Sequence, residues 1–185
     1  MSNPKVRLVE TSDDISRSAR AARDKDGDRL ILVPVDFSTH SRAALLFACE
    51  LADTLPAPVV VLHVVHDPGE MPGYYLKLIK KKRAGRIQDT AAQVFDEFMQ
   101  EMINTHAGLE SLRRAEPMMV IGLPVTRILE VIDTVDPFMV VLGSKGRTGL
   151  KNVLIGSKAS QIVQLCPVPI TVVKAKKKAG TRNAD

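Results

Sequence analysis

The feature that most restricts the fold is a series of short, unbroken apolar runs separated by stretches with helical periodicity. The runs are Leu30–Val35 (LILVPV), Val59–Val65 (VVVLHVV), Pro117–Ile121 (PMMVI), Phe138–Leu142 (FMVVL) and Val168–Val173 (VPITVV). A strand with one wet face alternates apolar and polar residues. A strand that is apolar throughout is buried on both faces, as in a parallel sheet. Parallel neighbours need long crossovers, usually helical, and the intervening segments supply them. After the turn Asp36-Phe37-Ser38-Thr39, where Ser38 or Thr39 can act as N-cap, Ala44, Phe47, Ala48, Leu51 and Leu55 recur at helical spacing, until Pro56 and Pro58 end the helix. Residues 66–75 (HDPGEMPGYY) read as a loop. A long helix follows to about Thr105, with Ile87, Ala91, Val94, Phe95, Phe98 and Met102 on one face. Gly122-Leu123-Pro124 turns into a short helix carrying Ile128, Leu129 and Ile132, and a last helix spans Ser157–Leu165. The expected fold is α/β, a single five-stranded parallel sheet with helices on both faces. Ligands of such sheets bind beyond the carboxyl ends of the strands, near the point where the strand order reverses. The loops after the first, second and fourth runs are therefore the place for a site.

Length and composition exclude other classes. At 185 residues, 45% hydrophobic and 25% charged, the chain has the make-up of one globular domain. No apolar run approaches the roughly 18 residues of a membrane span. The first 28 residues lack the apolar core of a secretory signal, so a cytoplasmic location is expected. Two cysteines, Cys49 and Cys166, make no disulfide framework and read as small buried hydrophobes. The net charge of +5 is modest, and 4% aromatics without Trp supply few stacking platforms, so no specific nucleic acid is expected. Residues 1–28 are polar and almost free of large apolar side chains, which reads as a flexible or marginally helical extension. The domain then covers residues 29–174, and residues 175–185 form a basic tail with Lys176-Lys177-Lys178. Lys77, Lys80, Lys81, Lys82, Arg83 and Arg86 cluster at the start of the long helix. They read either as a solvated face or as a docking surface for an acidic partner or an anionic membrane.

The strongest chemical signal is Gly143–Ser157, GSKGRTGLKNVLIGS, which holds Gly143, Gly146, Gly149 and Gly156 of the chain's 11 glycines between a strand and a helix. Glycine permits close backbone approach and left-handed conformations, so successive N–H groups can converge on an anion. The following helix N-terminus adds positive partial charge. Hydroxyls of Ser144, Thr148 and Ser157 and cations of Lys145, Arg147 and Lys158 can complete a phosphate site. The alternative is a surface loop with Ser157 capping a helix. The window is neither a G-x-x-x-x-G-K-[ST] loop nor a G-x-G-x-x-G fingerprint. Asp36 closes the first run and reads as a ligand contact, an Asx-turn or a helix cap. His63 and His66 point to opposite faces at strand spacing and lack further ligands for zinc, so no metal site is expected. No paired carboxylates sit near the glycine window, so no catalytic residue is assigned.

Gly143, two residues, Gly146, nine residues, Gly156 and Ser157 follow the G-2x-G-9x-G-[S/T] pattern. Together with VPVDFS (Val33–Ser38), LHVV (Leu62–Val65), the Gly122-Leu123-Pro124 turn and CPVPITVV (Cys166–Val173), it resembles the ATP-binding subgroup of the universal stress protein (UspA-like) family. The resemblance implies a Rossmann-like sheet of order 3-2-1-4-5, akin to the adenine nucleotide alpha hydrolases. It implies that Pro34, Val35 and Asp36 lie beside adenosine, with the Val64 backbone meeting adenine. Leu142, Gly143, Ser144, Lys145, Gly146, Arg147, Thr148 and Gly149 would surround ribose and phosphates. Gly156, Ser157, Lys158 and Ala159 would form the phosphate-side helix start. It further implies ATP, with or without Mg²⁺, in a regulatory module of stress response, offering a nucleotide-dependent surface to a protein partner. It also implies a homodimer through the last strand, Val168–Val173. Lys145 stands where many relatives carry His. The competing readings are a slow ATPase or phosphotransferase and a nucleotide-free interaction module. An adenylating enzyme would need an S-G-G-x-D-S-like loop after the first strand, which Pro34–Ser38 is not.

Overall fold

The computed structural model describes residues 5–66, 81–146 and 154–175, the side chains of 81–86 excepted. In chain order the elements are β1 (Arg7–Leu8), α1 (Ser12–Asp26), β2 (Ile31–Val35), α2 (Thr39–Thr54), β3 (Val59–Val65), α3 (Lys81–Thr105), α4 (Glu110–Arg114), β4 (Glu116–Ile121), α5 (Pro124–Val135), β5 (Met139–Gly143), α6 (Ser157–Leu165) and β6 (Ile170–Val173).

Each of the five apolar runs holds a strand, and every pairing is parallel. The sheet order is β1-β4-β3-β2-β5-β6. Counted from Leu30 onward, that is the expected order 3-2-1-4-5, with one strand added outside β4. Alternation within each strand divides the core in two. Ile31, Val33 and Val61 face α2, α3 and α4 with Ala48, Phe95 and Met99. Leu32, Val60 and Leu62 face α1, α5 and α6 with Ile15, Val131 and Ile162. Burying one such large side chain contributes about 1.5–3 kcal/mol, which is why strands apolar on both faces tolerate no exposure.

The sheet has six strands rather than five, and residues 5–28 are not the flexible or marginally helical extension expected. They form β1 and the 15-residue α1, whose Ile15, Ala19 and Ala22 are buried on the sheet. The stripe is helical in spacing but relies on alanines, which let α1 lie close to its neighbours. Thr11 caps the helix by accepting from the Asp14 N–H at 3.2 Å. Arg23 closes the other end. Its guanidinium donates to the Val135 carbonyl at 2.6 Å and the Asp136 carbonyl at 2.9 Å, satisfying the last turn of α5. Lys25 pairs with Glu116, and Arg114 with Asp26 at 3.3 Å.

Two helix faces are rotated from expectation. On α2 the buried stripe is Ala44, Leu45, Ala48, Cys49 and Ala52, while Phe47 is 40% exposed. On α3 it is Phe95, Phe98, Met99, Met102 and Ile103, with Ile87 and Val94 turned outward. The small residues of α2 set the choice, because the helix crosses close to β2 and β5 and has no room for Phe47 beneath it. Among the described residues no helix is long and apolar enough to cross a membrane.

Candidate functional site

At the carboxyl ends of β2, β3 and β5 lies a cleft of about 430 Å³. It opens where the sheet changes direction. From β2 the chain moves to β3 by way of α2 on one face, and from β5 to β6 by way of α6 on the other. The β2–β5 ladder ends at Leu32, while the β2–β3 ladder runs to Val35. Pro34 has no N–H to extend the shorter ladder. The two strand ends separate there, and the gap becomes the cleft.

Ten of the sequence-derived residues line it: Pro34, Val35, Asp36, Val64, Leu142, Gly143, Lys145, Gly146, Lys158 and Ala159. Arg147, Thr148 and Gly149 lie outside the described residues, as do Lys77, Lys80 and the tail from 176. Ser144, Gly156 and Ser157 do not line the cleft. Ser144 is fully buried, its N–H donating to the Val173 carbonyl and its carbonyl accepting from Gly156, both at 2.8 Å. Ser157 is the exposed first residue of α6 and not its cap. That position is Gly156, which has no side chain to serve the first-turn N–H groups.

The glycines differ in role. A Cβ on Gly143 would stand 2.7 Å from the His40 carbonyl carbon and the Ser41 nitrogen, so here glycine admits the backbone of α2. A Cβ on Gly146 would stand 2.7 Å from Asp36 Oδ2, on the cleft wall. At Gly156 it would meet nothing closer than 3.6 Å. None of these three has a positive φ. The left-handed conformation expected of this window is therefore absent at them, and close approach is what Gly143 and Gly146 provide.

Asp36 is an Asx-turn rather than a helix cap. Its Oδ1 accepts from the Ser38 N–H at 3.1 Å, while Ser38 itself caps α2. Between them Phe37 adopts φ 65°, unusual for a bulky residue and costing on the order of 1–3 kcal/mol. Packing offsets it. The Phe37 ring lies 4.3 Å from His63, 5.0 Å from Phe98 and 5.8 Å from Phe95, centroid to centroid. Ser38 Oγ donates to the Lys145 carbonyl at 3.2 Å, tying this turn to the glycine window. His63 donates from Nδ1 to the Val35 carbonyl at 2.9 Å. It and the exposed His66 both border the cleft.

Sequence reading missed Ser41, Leu62, Val65, Pro124, Ile128 and Ile162 in the lining. Ile128 and Ile162 belong to apolar helix stripes and read as core. Only the crossing of α5 and α6 over the cleft separates their role from packing. Cys49 is inert, because burial, and then Asp53 and Glu50, push its thiol up to about 12. Cys166 is half-buried and donates to the Val168 carbonyl at 3.4 Å.

The fold has counterparts among known proteins. The universal stress protein family matches residues 29–174. The chain belongs to that family. A universal stress protein of Methanocaldococcus jannaschii is 26% identical over 168 residues, covering 83% of this chain and 88% of the relative. UspA from Lactobacillus plantarum superposes with a TM-score of 0.65 at 24% identity, covering 79% and 97% of the two chains. A universal stress protein in complex with cAMP superposes with a TM-score of 0.55 at 16% identity, covering 80% and 98%. The family match begins at Arg29, so β1 and α1 lie ahead of it.

Proposed function

We propose that this universal stress protein binds ATP, alone or with Mg²⁺, in the cleft and acts as a nucleotide-responsive regulatory module in the cytoplasm. The observation that carries the reading is the make-up of the cleft lining. Part of it is apolar, from Val64, Leu142, Ile128 and Ile162, and suits a base and ribose. Lys145, Gly146 and, in the first turn of α6, Lys158 also line it and suit phosphates. A volume of about 430 Å³ lies within the range of small-ligand sites. The relative solved with cAMP supports a nucleotide of adenine type. In this reading Pro34, Val35, Asp36 and Val64 meet adenosine, and Leu142, Gly143, Lys145 and Gly146 enclose ribose and phosphates. Gly156, Ser157, Lys158 and Ala159 start the phosphate-side helix.

Asp36→Ala tests the assignment. Its carboxylate is half-buried at the cleft with Oδ1 in the turn, so the substitution removes one turn bond and any bond to ligand. ATP affinity should fall by about 1.5–3 kcal/mol, the range for bonds to a charged group, with a smaller loss of stability. Calorimetric titration beside thermal melts decides it. A lower melting temperature with unchanged affinity assigns Asp36 to the turn alone.

We also propose a homodimer through β6, in the last apolar run Val168–Val173. β6 is an edge strand, half-buried along its length. The Pro169 and Val173 carbonyls accept from Val140 and Ser144 of the β5 side. Strand alternation then turns the backbone groups of Ile170 and Val172 to the open side. An apolar edge that no described strand pairs with invites a second strand, and a two-fold axis pairs β6 with its copy. Ile170→Pro removes an outward donor without touching the β5 ladder. Light scattering should give a dimer for the wild type and a monomer for the variant. A monomeric wild type at micromolar concentration, or a dimer indifferent to the substitution, excludes the β6 interface.

A further inference from the structure

His40, in the first turn of α2, does not line the cleft, yet it joins the start of the glycine window to the chain's exit from β6. Its Nδ1 accepts from the Ala175 backbone N–H at 3.0 Å, just where the chain leaves β6. The same nitrogen lies 3.1 Å from Ser144 Oγ. A backbone N–H can only donate, so Nδ1 carries no proton, and the Ser144 hydroxyl is the second donor. Two donors share one lone pair. Ser144 has no solvent to turn to. It is fully buried, its N–H is held by Val173 and its carbonyl by the Gly156 N–H. It follows Gly143 at the root of the glycine window, and its neighbour Lys145 lines the cleft. Any shift of that window moves the Ser144 hydroxyl and changes how much of the lone pair is left for Ala175.

We propose that His40 is a positioning residue coupling the glycine window to the chain's exit from β6, so that the state of the cleft is read out at Ala175. The nucleotide part rests on the function proposed above; the wiring between Ser144 and Ala175 does not. Coupling of this kind is a difference in free energy and must act in both directions. The sharing of one lone pair fixes its sign. Removing the hydroxyl leaves the lone pair to Ala175 alone and strengthens the tether, whereas removing the imidazole abolishes it.

Residue-resolved amide exchange of the full chain by NMR tests this in two arms. Without nucleotide, His40→Ala should speed exchange of the Ala175 amide about two- to tenfold, the range expected for loss of one hydrogen bond. Ser144→Ala should slow it, and should have no effect once His40 is alanine. A Ser144→Ala effect of equal size in both backgrounds, or faster exchange in Ser144→Ala alone, overturns the coupling. In the second arm ATP is added, with binding measured independently by calorimetry. ATP should alter Ala175 exchange in the wild type and leave it unchanged in His40→Ala, while both proteins bind. A response that persists in His40→Ala overturns the proposal. Absence of binding heat in the wild type contradicts the nucleotide reading and removes only the second arm, since the first decides the wiring by itself.

Discussion

Gly143→Ala should destabilise the protein by about 1–3 kcal/mol, the usual cost of forcing a methyl group into a packed region. The new Cβ would lie 2.7 Å from two backbone atoms at the start of α2. Neither side yields easily. Gly143 is locked in the β5–β6 ladder opposite Val173, and the α2 start is fixed by the Ser38 cap. For a domain of this size each kcal/mol lowers the melting temperature by about 2–4 °C. A thermal melt matching the wild type would mean that β5 and α2 can separate without cost.

Gly156→Val should do the reverse, sparing the fold and removing ATP binding. The backbone there has φ −66° and ψ 156°, an extended conformation that valine adopts readily. Its Cβ would make ordinary contacts at 3.6–3.9 Å with Lys145, Ser144 and Gly146. The effect therefore acts through occupied space at the start of α6, not through forbidden backbone angles. The stability cost should stay within about 1 kcal/mol, since a helix N-cap position alone is at stake. ATP affinity should drop at least about tenfold, equivalent to 1.4 kcal/mol. A folded variant with unchanged affinity would show that the helix start plays no part in holding phosphate. The same motif thus contains one glycine set by the fold and another that the fold leaves free.

The sheet was legible because double-sided burial leaves a one-residue-at-a-time apolar record. Val59–Val65 was read to the residue for that reason. The helix faces were less so. Phe47 satisfies the spacing rule as well as Leu45 does, and only the closeness of α2 to the sheet selects the smaller stripe. α1 reads as no more than marginally helical because Ala19 and Ala22 carry little apolar weight, although Thr11-Ser12-Asp13-Asp14 is a capping signal and Gly27, at φ 103°, ends the helix. The glycine window and Pro34-Val35-Asp36 point to the end of the sheet where the cleft lies. Ile128 and Ile162 do not, because a side chain that roofs a cleft and one that fills a core have the same periodicity.

Calorimetric titration of the intact chain with ATP, preceded by acid extraction of the purified protein to identify carried nucleotide, tests the central claim most directly. The expected result is an adenine nucleotide in the extract and one saturable site per chain, weakened by Asp36→Ala and lost in Gly156→Val. An empty extract together with no saturable heat from a folded wild-type protein would contradict it.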